Sequence, residues 1–172
     1  MVDVRTRGPI EMVQVAALGA PMATAELLSK HFNLAITPTP NRAVMADDLT
    51  VLWHGPGQWL IVRVPRMPPL ADELVRLCGE SAPVVDLGHA RSGLRFAGEG
   101  VRDLLARGTS IDLRPARFPP GACALTALGK INALLHAVAP ETIDVYVPRS
   151  YGQAFVEWLR HAARDVDIEF ES

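Results

Sequence analysis

The stretch that most restricts the fold is LTVLWHGPGQWLIVRV, residues 49–64, two runs rich in β-branched and aromatic residues on either side of Gly55-Pro56-Gly57. That is the pattern of a hairpin closed by a short turn. It occurs twice more with variations. VVDLGHARSGLRF, residues 84–96, reads as a strand at 84–87, a bend near Gly88 and a return strand. In the return, Ala90, Ser92, Leu94 and Phe96 share one side while Arg91 and Arg95 take the other. GACALTALGKINALLHAV, from Gly121, reads as a hairpin around Leu128-Gly129-Lys130, and TIDVYVP adds one more strand. The stretches between these runs hold one short helix each. The order hairpin, helix, hairpin, helix, hairpin, strand, helix predicts an α+β protein, with antiparallel sheets and helices packed on one face.

The helices are read from their apolar spacing. APMATAELLSKHF puts Ala23, Leu27, Leu28 and His31 on one stripe, with Pro21 in the first turn. PPLADELVRLCG gives Leu70, Leu74, Leu77 and Cys78 one face and Gly79 as its stop. A third helix is expected over about 99–107, burying Val101, Leu104 and Leu105, with Gly108 as its end. In the last, Ser150 and Gln153 have capping-box spacing ahead of Phe155, Trp158, Leu159 and Ala162. NLAITPTPNR reads as a loop or edge segment because of its prolines, and DVDIEFES as a short edge strand. The hairpin-plus-helix units are alike in length, which predicts one domain of 172 residues built from two pseudo-repeated half-domains, 1–80 and 81–172.

Composition removes several function classes. A net charge of −2 with no basic run lacks the electrostatic footprint of nucleic-acid binding. No apolar run approaches the length of a membrane span, and the basic residues of MVDVRTRGPIEM precede no apolar core, so a cytoplasmic protein without a membrane partner is expected. Cys78 and Cys123 lie among apolar residues without CxxC spacing and read as buried hydrophobes. Apart from Lys30 and Lys130, every basic residue is arginine, a bias that suits protein interfaces and that base composition also produces. GPGQW leads into a strand, whereas a nucleotide-phosphate loop opens a helix, so flavin and nicotinamide binding are not expected. His31, His54, His89, His136 and His161 are scattered without metal-ligand spacing, and Ser92, Ser110 and Ser150 have no nucleophile-elbow motif.

Asp86, His89 and Arg91 are what remains as candidate chemistry. A carboxylate and an imidazole three residues apart across a bend can serve as general acid and base if a pocket receives a substrate. They equally hold a turn by accepting backbone N–H groups, and the structural reading is preferred.

VVDLGHARSGLRFAGEGVRDLLARGTSIDL, then FPPGACALTALGKINALLHAV and IDVYVPRSY ahead of a Trp-containing helix, resembles the gamma subunit of heterotetrameric sarcosine oxidase, over roughly residues 51–159. GTSIDLRPARFPPGACALT and VYVPRSY are its most specific parts. The same region is more distantly similar to the folate-binding domain of the glycine cleavage T-protein, with Asp86 to Ala90 and Gly98 to Val101 standing where that family has its DVSHMG and GPDA signals. The resemblance implies the T-protein folate-binding fold and a non-catalytic structural subunit. The complex it belongs to oxidatively demethylates sarcosine to glycine, a reaction of one-carbon metabolism. It implies partner alpha and beta chains carrying FAD, FMN, NAD and tetrahydrofolate, and a delta chain carrying zinc. No catalytic, cofactor or metal residue is then expected here. Asn132, Ala133 and Leu134 stand where the T-protein has an acidic pair, and an apolar side chain cannot act as a base. Arg91, Arg95, Arg114, Phe118, Tyr146 and Arg149 are the subunit-interface candidates. The alternative is a free-standing folate-binding or one-carbon-transfer protein using Asp86 and His89.

Overall fold

The computed structural model describes residues 1–171 as two compact units, which divide the chain at Gly8/Pro9 and again at His89/Ala90. The expected boundary at 80/81 therefore falls short, and the first eight residues join the later unit.

The unit formed by residues 9–89 holds β2 (Glu11–Ala16), α1 (Pro21–Phe32), β3 (Ala43–Ala46), β4 (Leu49–Gly55), β5 (Gln58–Arg63), α2 (Leu70–Cys78) and β6 (Val84–Asp86). Its sheet runs β3-β4-β5-β2-β6. The other unit takes β1 (Val2–Thr6), then β7 (Arg91–Ala97), α3 (Val101–Ala106), β8 (Cys123–Leu128), β9 (Ile131–Ala139), β10 (Thr142–Pro148), α4 (Gly152–Ala162) and β11 (Ile168–Glu171). Its sheet runs β8-β9-β10-β7-β1-β11. Each unit is thus β-α-β-β-β-α-β with the same strand order. The six-stranded one differs by β1, wedged between β7 and β11, whereas β2 pairs β6 directly. The repeat anticipated from sequence is present, and its period is this seven-element motif.

One expectation is corrected. Residues 84–97 are not a hairpin: β6 pairs antiparallel with β2 (Val13↔Asp86), while β7 pairs with β1 and β10 (Val4↔Phe96, Val145↔Leu94) in the other sheet. A short glycine-containing link between two strands looks locally like a hairpin turn, yet pairing is decided by which apolar faces must be covered, and both runs find non-local partners.

Helices cover one face of each sheet. In the five-stranded unit Leu28, Leu70, Leu74 and Cys78 pack with Val13, Val15, Trp59 and Ile61. In the six-stranded unit Val101, Leu104, Phe155 and Leu159 pack with Val4, Phe96, Leu135 and Val145. The inner stripe of α1 is Thr24, Ala25 and Leu28, turned from the expected one, and Ala23 is exposed. The capping box does not form either. A 3-10 turn over Arg149–Tyr151 displaces Ser150 from the cap position, and Gln153 donates instead to Glu157 (3.1 Å). Both cysteines are buried.

The β8–β9 turn has Gly129 at φ +58° and Lys130 at φ +70°, the left-handed pair that a two-residue hairpin matched to sheet twist requires. Trp158 of α4 lies over it, so close that a Cβ on Gly129 would stand 2.4 Å from the indole Cγ. No helix among the described residues is long and apolar enough to cross a membrane.

Candidate functional site

Asp86, His89 and Arg91 do not form one assembly within either unit. Asp86 and His89 belong to the five-stranded unit and Arg91 to the other. Asp86 Oδ1 accepts the Gly88 N–H at 2.8 Å, which fixes the bend after β6, and both Asp86 and His89 are exposed. They rim a shallow depression of about 170 Å³ with Glu11 and Pro69. The carboxylate is engaged in holding its own turn.

The densest polar arrangement of the six-stranded unit lies on the sheet face opposite its helices, because Asp144 and Tyr146 alternate with the core residues Ile143, Val145 and Val147 along β10. Asp144, 1% exposed, accepts from Arg95 Nε at 2.7 Å and Nη2 at 2.9 Å, and lies 3.1 Å from Arg7 Nη1. Arg7 also donates to the Tyr146 hydroxyl, with its guanidinium carbon 5.8 Å from the centroid of that ring. The hydrogen bonds from Arg95 to Asp144 hold the Arg95 guanidinium above its usual pKa. Burial pushes the Tyr146 hydroxyl far above its own, so it stays protonated.

Register extends this into a row across five strands: Arg5, Arg95, Asp144, His136 and Cys123. Exposure falls along it from an exposed Arg5 to His136 and Cys123, both at 0%. The order carboxylate, imidazole, thiol is what an activated cysteine needs. Here, however, neither ring nitrogen of His136 has a hydrogen-bond partner among the described residues, and Asp144 is committed to two arginines. The row is a charge-locked seam with an uncharged imidazole beside it.

That imidazole makes a pH prediction. Burial lowers the His136 pKa from 6.5 to about 4, against the pull of Asp144. The unfolded chain therefore binds the proton first as pH falls, so stability is fully present above about 6.5 and declines toward about 4. The expected slope is about 1.4 kcal/mol per pH unit, roughly 3 kcal/mol in all. His136→Leu should remove this component and add about 1 kcal/mol at neutral pH, since it deletes two unsatisfied buried nitrogens. Urea unfolding of both chains between pH 4 and 7 checks it, and parallel curves would refute it.

The six interface candidates separate. Arg95 is bonded to Asp144, Tyr146 is joined to the same carboxylate only through Arg7, and Tyr146, at 0% exposure, is interior and presents no surface to a partner. Phe118, 4% exposed, is a core residue. Arg114 and Arg149 are exposed and Arg91 is half-buried. Arg114 pairs with Asp112 (2.5 Å), which that guanidinium holds at a pKa of about 2. This pair rims a cleft of about 410 Å³ beside α3. Arg102 lines it too, held by the carbonyls of Pro140 (2.6 Å), Leu113 (2.5 Å) and Phe118 (2.8 Å). Asn132 is exposed on β9 beside the buried Ala133 and Leu134.

Arg7, Asp144 and His136 were not singled out from sequence. The available signal was an acid in TIDVYV and a base in GLRF, each placed among apolar residues on the alternate side of a strand.

A doubled β-α-β-β-β-α-β fold with helices on one face of each sheet defines a T-protein-like α+β protein. The aminomethyltransferase T of the glycine cleavage system from Bartonella henselae superimposes with a TM-score of 0.71 at 13% identity, covering 98% of this chain and 47% of that one. A chain of the heterotetrameric sarcosine oxidase from Corynebacterium sp. U-96 superimposes with a TM-score of 0.84 at 23% identity, covering 95% of this chain and 84% of that one. The chain belongs to the sarcosine oxidase, gamma subunit family, whose model matches residues 19–165. The sarcosine oxidase subunit gamma of Arthrobacter sp. is 34% identical over 128 residues, 74% of this chain and 61% of that protein. That of Corynebacterium sp. (strain P-1) is 32% identical over 124 residues, 72% and 61% respectively. The chain spans about three fifths of the length of these relatives.

Proposed function

We propose that this chain is a non-catalytic, structural gamma subunit of a heterotetrameric sarcosine oxidase, a complex that oxidatively demethylates sarcosine to glycine in the cytoplasm. The observation that carries the reading is the family match over residues 19–165. What the polar residues do agrees with it. Asp144 neutralises two arginines, Asp86 ties its own bend, and Glu11 and Glu73 are bound to Arg63. Each of these four carboxylates is occupied in building the fold, as suits a scaffold subunit. In this reading alpha, beta and delta chains are the partners, and FAD, FMN, NAD, tetrahydrofolate and zinc reside in them. The exposed Arg114 and Arg149 and the half-buried Arg91 are the surface residues of the expected interface.

Co-expression with tagged alpha, beta and delta chains tests this. The chain should co-purify in a fixed ratio with a yellow, flavin-containing complex, and the chain alone should give no heat on titration with tetrahydrofolate. A chain that never enters the complex, or that binds the pterin by itself, overturns the reading.

A further inference from the structure

The cleft beside α3 holds a cation that the fold leaves without a counter-charge. One wall is α3 itself with Gly98 and Gly100 ahead of it. The other is the segment 111–115, inside the GTSIDLRPARFPPGACALT stretch at 108–126, and Pro140 and Glu141 complete the lining. Val101, Ile111, Leu113 and Pro140 give the cleft its apolar surface, and its volume of about 410 Å³ lies in the range of small-molecule sites.

Arg102 is the lining residue whose chemistry is incomplete. Its Nε donates to the Pro140 carbonyl at 2.6 Å, and Nη1 donates to the carbonyls of Leu113 (2.5 Å) and Phe118 (2.8 Å). These bonds clamp the segment after α3 and use three of the five N–H groups of a guanidinium. The other two are on Nη2, which is buried and has no hydrogen-bond partner among the described residues. All three acceptors are neutral carbonyls, whereas Arg63, Arg95, Arg107 and Arg114 each face a carboxylate. Burial lowers the Arg102 pKa, and no neighbouring carboxylate raises it again. Clamping the loop explains the carbonyl bonds, but neither the unmet N–H groups nor the uncompensated charge.

We propose that this cleft binds a small free monocarboxylate with an apolar body, the carboxylate compensating Arg102 and the body lying on Val101, Ile111, Leu113 and Pro140. A carboxylate brings both things the guanidinium lacks, a negative charge and strong acceptors. The rim limits that charge to one. Asp103 and Glu141 are exposed on the same cleft and Asp112 is held by Arg114, so a multiply charged anion such as phosphate is repelled. This inference does not rest on the subunit assignment.

Titration of the full chain with benzoate, followed by the methyl NMR signals of Val101, Ile111 and Leu113, tests it. Those signals should shift together and saturate with a Kd of about 1 mM. Benzamide has the same shape without the charge and should bind at least about tenfold more weakly, as should inorganic phosphate. Ala106→Phe places a ring in the cleft while keeping the Arg102 carbonyl bonds, and should abolish the shifts. Glu141→Gln should tighten benzoate about twofold by removing a like charge from the rim. Arg102→Gln should weaken it at least about tenfold; should that chain fail to fold, Ala106→Phe and benzamide decide alone. No shift at tens of millimolar benzoate, equal binding of benzamide, undiminished binding by Ala106→Phe, or weaker binding by Glu141→Gln would each overturn the proposal.

Discussion

Arg63→Ala is expected to lower the stability of the chain by about 3–5 kcal/mol, seen as an earlier urea midpoint, because it leaves a pair of buried-edge carboxylates facing each other without their cation. Arg63 sits on β5 at 1% exposure with every arm engaged. Nε donates to Glu11 at 2.9 Å, Nη1 to Glu73 at 2.6 Å and Nη2 to the Pro68 carbonyl at 2.7 Å. Glu11 in turn accepts the Leu70 N–H at 2.9 Å, capping the start of α2, and Glu73 lies 2.7 Å from His31 Nε2 on α1. One guanidinium therefore fastens β2, β5 and both helices. Burial works to lower the Arg63 pKa, but its bonds to Glu11 and Glu73 outweigh burial and raise it. For Glu73 burial likewise opposes the net effect, and the hydrogen bonds from His31 and Arg63 bring its pKa below the usual value. A depressed carboxylate gives stability that is present above its unfolded pKa and lost as pH falls through its folded one. The loss should therefore shrink in acid. Converting Arg63 to Met together with Glu11→Gln and Glu73→Gln should restore much of it, and an Arg63→Ala cost under about 1 kcal/mol would contradict this account.

The second large effect is expected at Gly129. A Cβ there meets two penalties: the left-handed backbone at φ +58° and an indole carbon 2.4 Å away. The first costs about 1–2 kcal/mol and the second, as overpacking, about 1–3 kcal/mol, so Gly129→Ala should lose about 2–5 kcal/mol. Gly108 lies under the same ring, with its own Cβ position 2.2 Å from Trp158 Cζ2, and its carbonyl accepts the Gly129 N–H at 3.0 Å. Trp158 is thus seated on two bare backbone segments, with Phe155 at a 5.5 Å centroid distance beside it. Trp158→Ala should cost less in the Gly129→Ala chain than in the unaltered one, since it relieves the collision while losing the packing. Thermal unfolding of the four chains measures the coupling, and strict additivity would show that the ring does not press on the turn.

Local patterns carried most of the architecture. The hairpin at 49–63 was legible because Gly55 and Gly57 lie between two apolar runs, and α2 because Leu70, Leu74 and Cys78 recur at helical spacing ahead of Gly79. Val2 and Val4 alternate with Asp3 and Arg5, the period of a half-buried strand, but the segment is short and pairs with residues about ninety positions away. The separation of β6 from β7 is invisible for the same reason: a link containing Gly88 fits a turn and a crossover equally. The Asp86 bend was legible as an Asx-type turn. The seam of Arg7, Arg95 and Asp144 was not, because three strands distant in sequence must align before its charges meet. The bias toward arginine has a local expression here. Arg63, Arg95 and Arg102 each use their fork for two or more bonds, which a lysine cannot reproduce.

That the backbone passes between units at Gly8/Pro9 and again at His89/Ala90 bears on the order of events at the ribosome. Residues 9–89 form one uninterrupted stretch, able to settle while translation continues. β1 is made before its partner β7 and must wait, carrying Val2 and Val4, until β7 has emerged. The interval between the making of β1 and of β7 is therefore one in which these apolar side chains lack their cover.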